Sequence, residues 1–185
     1  MRYCKLTREH GLVYTSSRKR FRDPWIIVAY ADSDWATWKW TRRSRMGWLI
    51  YVNGNLLDFG SKLQSSVALS SCEAEYMSIS NIVKILLWIV NIIESIPGQF
   101  VRRPITIYED NQSAINLASN HAVSKFTSHI GIAHHFLREH NADGTNFFKL
   151  VWIDSKSQIA DGMTKPLPRA DFEIFQRLVV RDLRF

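Results

Sequence analysis

The sequence predicts an α/β domain built on one mixed, five-stranded sheet flanked by helices. Residues 25–63 hold three strand-like runs joined by short turns, so these first three strands must be antiparallel neighbours. Two later strand-like runs, 105–110 and 146–153, are each reached through helical segments and can lie parallel to the first. The segment 71–95 is too apolar for a surface helix and needs a sheet to cover it.

Residues 1–24 read as a short helical or irregular arm and a basic linker that ends at Pro24. "WIIVAYADSDWA" (25–36) is apolar and β-branched, and it ends in Asp32 and Asp34. "MGWLIYV" (46–52) is the second strand. Asn53-Gly54 makes the hairpin turn because this pair accepts positive φ at little cost, and "LLDFGSK" (56–62) returns. Ser70 is the N-cap of the long helix, and Ser70-x-x-Glu73 forms a capping box. Pro97-Gly98 stops that helix just after Ser95. Its second half, "IVKILLWIVNII", is apolar nearly all round, which predicts burial against the sheet.

"ITIYED" (105–110) alternates as a strand does, and "NQSAINLA" then opens a short helix. "SHIGIAHHFLREH" (128–140) reads as another helix despite Gly131, and "NADG" (141–144) turns the chain into "NFFKLVWI" (146–153). Ser157 is expected to cap "QIADGMTK", and a last helix spans about 169–180.

Bulk properties narrow the function classes. A hydrophobic content of 46% with 12% aromatics belongs to a globular chain. The greasiest stretch, Ile79 to Ile96, carries Lys84 and Glu94, so no membrane span is expected. Cys4 and Cys72 are the only cysteines, which fits a reducing compartment and implies no disulfide scaffold. The 24 Lys and Arg outnumber the 17 acids, and they cluster at 18–22, 42–45, 102–103 and the C-terminus. Clustered positive charge suits a polyanion such as nucleic acid, although a solvated face would look the same.

Four acids occupy telling places. If the first strand and strand 105–110 are parallel neighbours, Asp32 and Asp110 end side by side at one rim. Glu75 falls near the first turn of the long helix, and Asp161 in the first turn of the helix after the last strand. One like-charge pair at contact costs ~4 kcal/mol at an effective dielectric near 20, so such a group calls for a cation. All-oxygen clusters suit Mg²⁺ or Mn²⁺, and two such ions ~3.5–4 Å apart are a known device for phosphodiester hydrolysis. Strand-end Asp and first-turn Glu are also what capping and the helix dipole favour, so on spacing alone both readings stay open.

Five stretches carry a resemblance. "YADSDWA" (30–36), "SKLQSSVALSSCEAEYMS" (61–78), "IYEDNQSAINLA" (107–118), "HHFLRE" (134–139) and "SQIADGMTKPLPR" (157–169) occur in order. They resemble the successive signatures of the ribonuclease H domain of copia-type (Pseudoviridae) LTR retrotransposon Pol polyproteins. The resemblance covers about 25–180, and "RYCKLTREHGLVY" (2–14) resembles the segment that joins reverse transcriptase to that domain. It implies a division into a connecting remnant, 1–24, and a ribonuclease H domain, 25–185. It further implies an RNase H-like fold and hydrolysis of the RNA strand of RNA–DNA hybrids with two Mg²⁺ (or Mn²⁺) ions. A polymerase domain in the same polyprotein, no membrane, and an intracellular setting (a cytoplasmic virus-like particle and/or the nucleus) follow from the same likeness.

By that resemblance Asp32, Glu75, Asp110 and Asp161 are the catalytic, metal-holding residues. Glu73 lies ~200° from Glu75 around a helix and is the better capping residue. Asp34, two residues beyond Asp32, would overshoot the rim. Gln112 matches a minor-groove contact, and Ser71 stands where some relatives carry an asparagine. A hybrid is recognisable by its A-like shape and its 2′-hydroxyls. Arg42 and Arg43, beside Trp35, Trp38 and Trp40, are candidates to grip its backbone, with loop packing as the other role for the tryptophans.

Ser128, Gly131 and Ala133 replace a lysine, an aspartate and an arginine of the family pattern, and "RRSRMG" lacks the usual small pair before glycine. "DSKS" (154–157) lacks the histidine that aids product release in some ribonucleases H. His129, His134, His135 and His140 have no shared helical face suited to zinc. A catalytically silent hybrid- or RNA-binding module and a structural brace for the polymerase are the alternatives.

Overall fold

The computed structural model describes Lys5 and residues 7–15, 22–119, 131–141 and 146–182. The chain order is β1 (His10–Gly11), β2 (Ile27–Asp34), β3 (Arg45–Val52), β4 (Asn55–Leu63), α1 (Ser71–Glu94), β5 (Ile105–Glu109) and α2 (Gln112–Ser119). After these come α3 (Gly131–Asn141), β6 (Phe148–Trp152), a 3₁₀ turn (Ser155–Ser157), α4 (Asp161–Thr164), α5 (Arg169–Val179) and β7 (Arg181–Asp182).

The five main strands lie in the order β4-β3-β2-β5-β6. β2, β3 and β4 are antiparallel neighbours, while β5 runs parallel to both β2 and β6. This is the mixed sheet that the turn lengths predicted. Asn53 and Gly54 take positive φ in the β3–β4 turn, as an Asn-Gly hairpin requires.

The core lies between one sheet face and α1. Ile27, Ala29 and Ala31 of β2 and Ile105 and Ile107 of β5 meet Tyr76, Ile79, Val83, Leu86 and Val90 of α1. Small alanines on the central strand let the helix approach closely. By length and composition α1 could cross a membrane, but 56% of its most apolar window is buried in the domain, as for a core helix. The expected burial of its whole second half is not realised: Trp88 is 64% exposed and Ile92 46%. A helix laid on a flat sheet turns only one stripe inward.

Ser70 accepts the N–H of Glu73 at 3.1 Å, as a capping box requires, but the Glu73 carboxylate reaches one residue further back, to the N–H of Leu69 at 2.7 Å. Ser157 does not cap the following segment. It ends the 3₁₀ turn, whose cap is Asp154, and α4 has no side-chain cap. The arm before Pro24 includes a strand that periodicity did not show: His10–Gly11 pairs antiparallel with Arg181–Asp182. Two residues are too few for a period-two pattern to register. The departure at Ser128, the histidine His129, and Ala142–Gly144 of the expected turn lie outside the described residues.

Candidate active site

Strand parity builds the site. In the parallel β2–β5 pair Tyr30 is in register with Tyr108, and their rings stack at 5.0 Å on one sheet face. Side chains repeat every two residues along a strand, so Asp32 and Asp110 come next on that face, Asp110 just past the end of β5 and Asp32 two residues before the end of β2. The indole of Trp152, at the end of β6, donates to the backbone carbonyl of Asp110 at 3.0 Å and holds that end of the chain. Glu75 enters from α1. Carboxylate oxygens of Asp32, Glu75 and Asp110 all lie within 4.8 Å of one another.

Burial sharpens the electrostatics. Asp32 is 3% exposed and Glu75 5%. Loss of water raises the Asp32 pKa to about 6; the Thr164 hydroxyl and Lys165 oppose that rise, while Asp161 and Asp110 add to it. Glu75 is pushed well above the usual carboxylate range by burial first and then by Glu109, Asp32 and Asp110, with a backbone hydrogen bond from Ser33 opposing. Its Oε2 is buried without a hydrogen-bond partner among the described residues. Three gathered carboxylates, one with an unused buried oxygen, form an all-oxygen donor set that fits a hard divalent cation.

Asp161 stands beside this group, not inside it. It opens α4, pairs with Lys165 at 2.9 Å, and its charge acts on Asp32. Gly47 gives α4 its seat, since a Cβ there would lie 2.7 Å from Met163 Cβ and Thr164 Cγ2. Gly47 is the register partner of Asp32, so helix and acid are brought together across one strand pair. The Thr164 hydroxyl donates to the Asp32 carboxylate, Ser78 Oγ donates to the Asp32 carbonyl at 3.1 Å, and Gln158 donates to the carbonyl of Ala31 at 2.6 Å. Asp34 is outside the gathered trio.

The expected substrate contacts surround the same rim. Gln112 is the first residue of α2, two beyond Asp110, and its amide donates to Asn116 at 3.1 Å. Ser71 is exposed at the start of α1. Arg42 and Arg43 lie in the β2–β3 loop, with Arg42 at φ +55 and Arg43 bonded to Thr41 at 3.3 Å. Trp40 is 89% exposed there, whereas Trp35 is tied to the Ala68 carbonyl at 3.0 Å. Among the described residues no histidine joins a ligand group; His140 is bonded to the Phe136 carbonyl at 2.8 Å.

Sequence reasoning passed over Glu109, Thr164 and Lys165. Glu109 is fully buried, and burial above all raises its pKa well above the usual range. The alternation Ile105, Ile107, Glu109 was the available signal, because it puts Glu109 on the core face. Thr164 and Lys165 lie three and four residues after Asp161, the spacing of helical neighbours.

No family model matches the chain. Over 175 residues it is 33% identical to the Retrovirus-related Pol polyprotein from transposon RE1 of Arabidopsis thaliana, covering 95% of this chain and 11% of that protein. The polyprotein from transposon TNT 1-94 of Nicotiana tabacum is 32% identical over 179 residues, covering 97% and 13%. The chain is a homologue of copia-type retrotransposon Pol polyproteins. It spans little more than a tenth of the length of these relatives. LC11-RNase H1, isolated from compost by a metagenomic approach, superposes on this Pol homologue with a TM-score of 0.56 at 13% identity, covering 75% of this chain and 92% of that one. Its structure in complex with an RNA/DNA hybrid gives 0.52 at 13% identity over 75% and 93%. At that identity the likeness establishes the ribonuclease H fold alone.

Proposed function

We propose that this Pol homologue hydrolyses the RNA strand of RNA–DNA hybrids, as the ribonuclease H activity of a retrotransposon reverse transcriptase. The observation that carries the proposal is the gathering of Asp32, Glu75 and Asp110 beside the parallel β2–β5 pair. The hybrid bound to LC11-RNase H1, a protein of the same fold, supports the choice of substrate.

Asp32, Glu75 and Asp110 hold the cation in this reading, with Asp161 completing a second position, for Mg²⁺ or Mn²⁺. Divalent ions bound there supply Lewis-acid chemistry, activating water and stabilising the leaving oxygen of the phosphodiester. The protein's own part is placement. Thr164 orients the Asp32 carboxylate, Trp152 holds the Asp110 carbonyl, and Ser78 ties α1 to β2 so that Glu75 keeps its distance from both. Gln112 and Ser71 face the hybrid at the rim, and Arg42 and Arg43 bind its phosphates. Residues 1–24 connect to a polymerase domain in the same polyprotein, 25–185 form the ribonuclease H domain, and the work is done inside the cell, in a virus-like particle or the nucleus.

The test is cleavage of an end-labelled RNA–DNA hybrid by this chain and by Asp110→Asn, with Mg²⁺ or Mn²⁺. The wild type should cut the RNA strand, and the variant should bind the hybrid without cutting. If neither cuts and both bind, the domain is a hybrid-binding module. If neither binds, it braces the polymerase.

A further inference from the structure

Lys165 reaches into the acidic site. Its Nζ is 2.9 Å from Asp161 Oδ1, and the charges of Asp32 and Asp110 act on it too. Burial alone would lower its pKa, but these carboxylates outweigh it, and the ammonium stays charged. Its anchorage is firm. The preceding residue, Thr164, is hydrogen-bonded to Asp32, the Lys165 N–H closes onto the Asp161 carbonyl at 3.1 Å, and α4 is seated on Gly47. The side chain itself is 43% exposed, so its four-carbon stem is free to swing outward from that fixed base.

A tethered cation among carboxylates does what a metal ion does for them: it offsets their repulsion. It also repels any divalent ion that approaches the same oxygens. We propose that Lys165 is a tethered counter-ion that pairs with Asp161 when no divalent cation is bound and is displaced when one binds, so that it sets the cation affinity of the site. This rests on the metal-site reading above. Lys165 is on this account a positioning residue that acts through Asp161 and Asp32.

The test is Mn²⁺ binding by the full chain without nucleic acid, followed by calorimetry or by the Mn²⁺ paramagnetic signal, for wild type, Lys165→Met and Lys165→Arg. Removing a half-exposed charge that competes at contact range should tighten Mn²⁺ binding about tenfold in Lys165→Met, with Lys165→Arg near wild type. In EDTA the Met variant should melt below wild type, and saturating Mn²⁺ should close that gap. Unchanged or weaker Mn²⁺ binding by Lys165→Met overturns the role of Lys165 alone. No Mn²⁺ binding by wild type overturns both this proposal and the metal-site reading. Lys165→Gln is measured by the same criteria if the Met variant does not fold.

Discussion

Asp32→Asn asks how much the gathered carboxylates cost the fold when no cation is present. Burial, reinforced by Asp161 and Asp110, raises the Asp32 pKa from 3.8 to about 6. The folded state therefore holds this proton more tightly than the unfolded state does. The contribution is fully present below the unfolded value and is lost as pH rises through the folded one. A rise of roughly two units at ~1.36 kcal/mol each sets a ceiling of ~3 kcal/mol on that loss at neutral pH. Asparagine carries no charge there and still accepts the Thr164 hydroxyl, so it should recover most of it. At ~2–4 °C per kcal/mol for a chain of this size, the variant should melt up to roughly 6–12 °C above wild type near pH 7.5 in EDTA. Near pH 4 the two should melt at about the same temperature. Thermal unfolding followed by circular dichroism reads both, and adding Mg²⁺ should raise wild type more than the variant. A variant that melts below wild type in EDTA near neutral pH would refute the reasoning.

Gly47→Ala should cost ~1–3 kcal/mol by urea unfolding, because overpacking against Met163 and Thr164 lifts α4 from the sheet; unchanged stability would show that α4 does not rest there. Replacing Arg42 and Arg43 by Ala should weaken hybrid binding and lower the slope of log affinity against log salt by roughly 0.7–0.9 per lost phosphate contact. Cleavage at saturating hybrid should be unaffected, and an unaltered salt slope would remove both residues from the interface.

Much of this architecture is written locally. Turn chemistry at Asn53-Gly54, the cap at Ser70 and the alternation in 105–109 depend on residues a few positions apart, so strand and helix order could be read from one chain. Where local signals are short or shared they mislead. Ser157 looked like a cap, yet Asp154 takes that role in the 3₁₀ turn. A two-residue strand at His10–Gly11 has no periodicity to detect and exists only because Arg181–Asp182 lies alongside it.

The site divides in the same way. Parity along two strands, with parallel order inferred from loop length, was enough to place Asp32 beside Asp110. The pitch of α1 was enough to separate Glu75 from the capping Glu73. What surrounds those acids was decided only in three dimensions. The burial that raises Asp32, the Thr164 hydroxyl that orients it, and the approach of Asp161 and Lys165 to it all come from packing. Sequence dictates which side chains a strand or a turn presents. Desolvation and electric field are set by neighbours brought in from more than a hundred residues away, and only the folded chain supplies those.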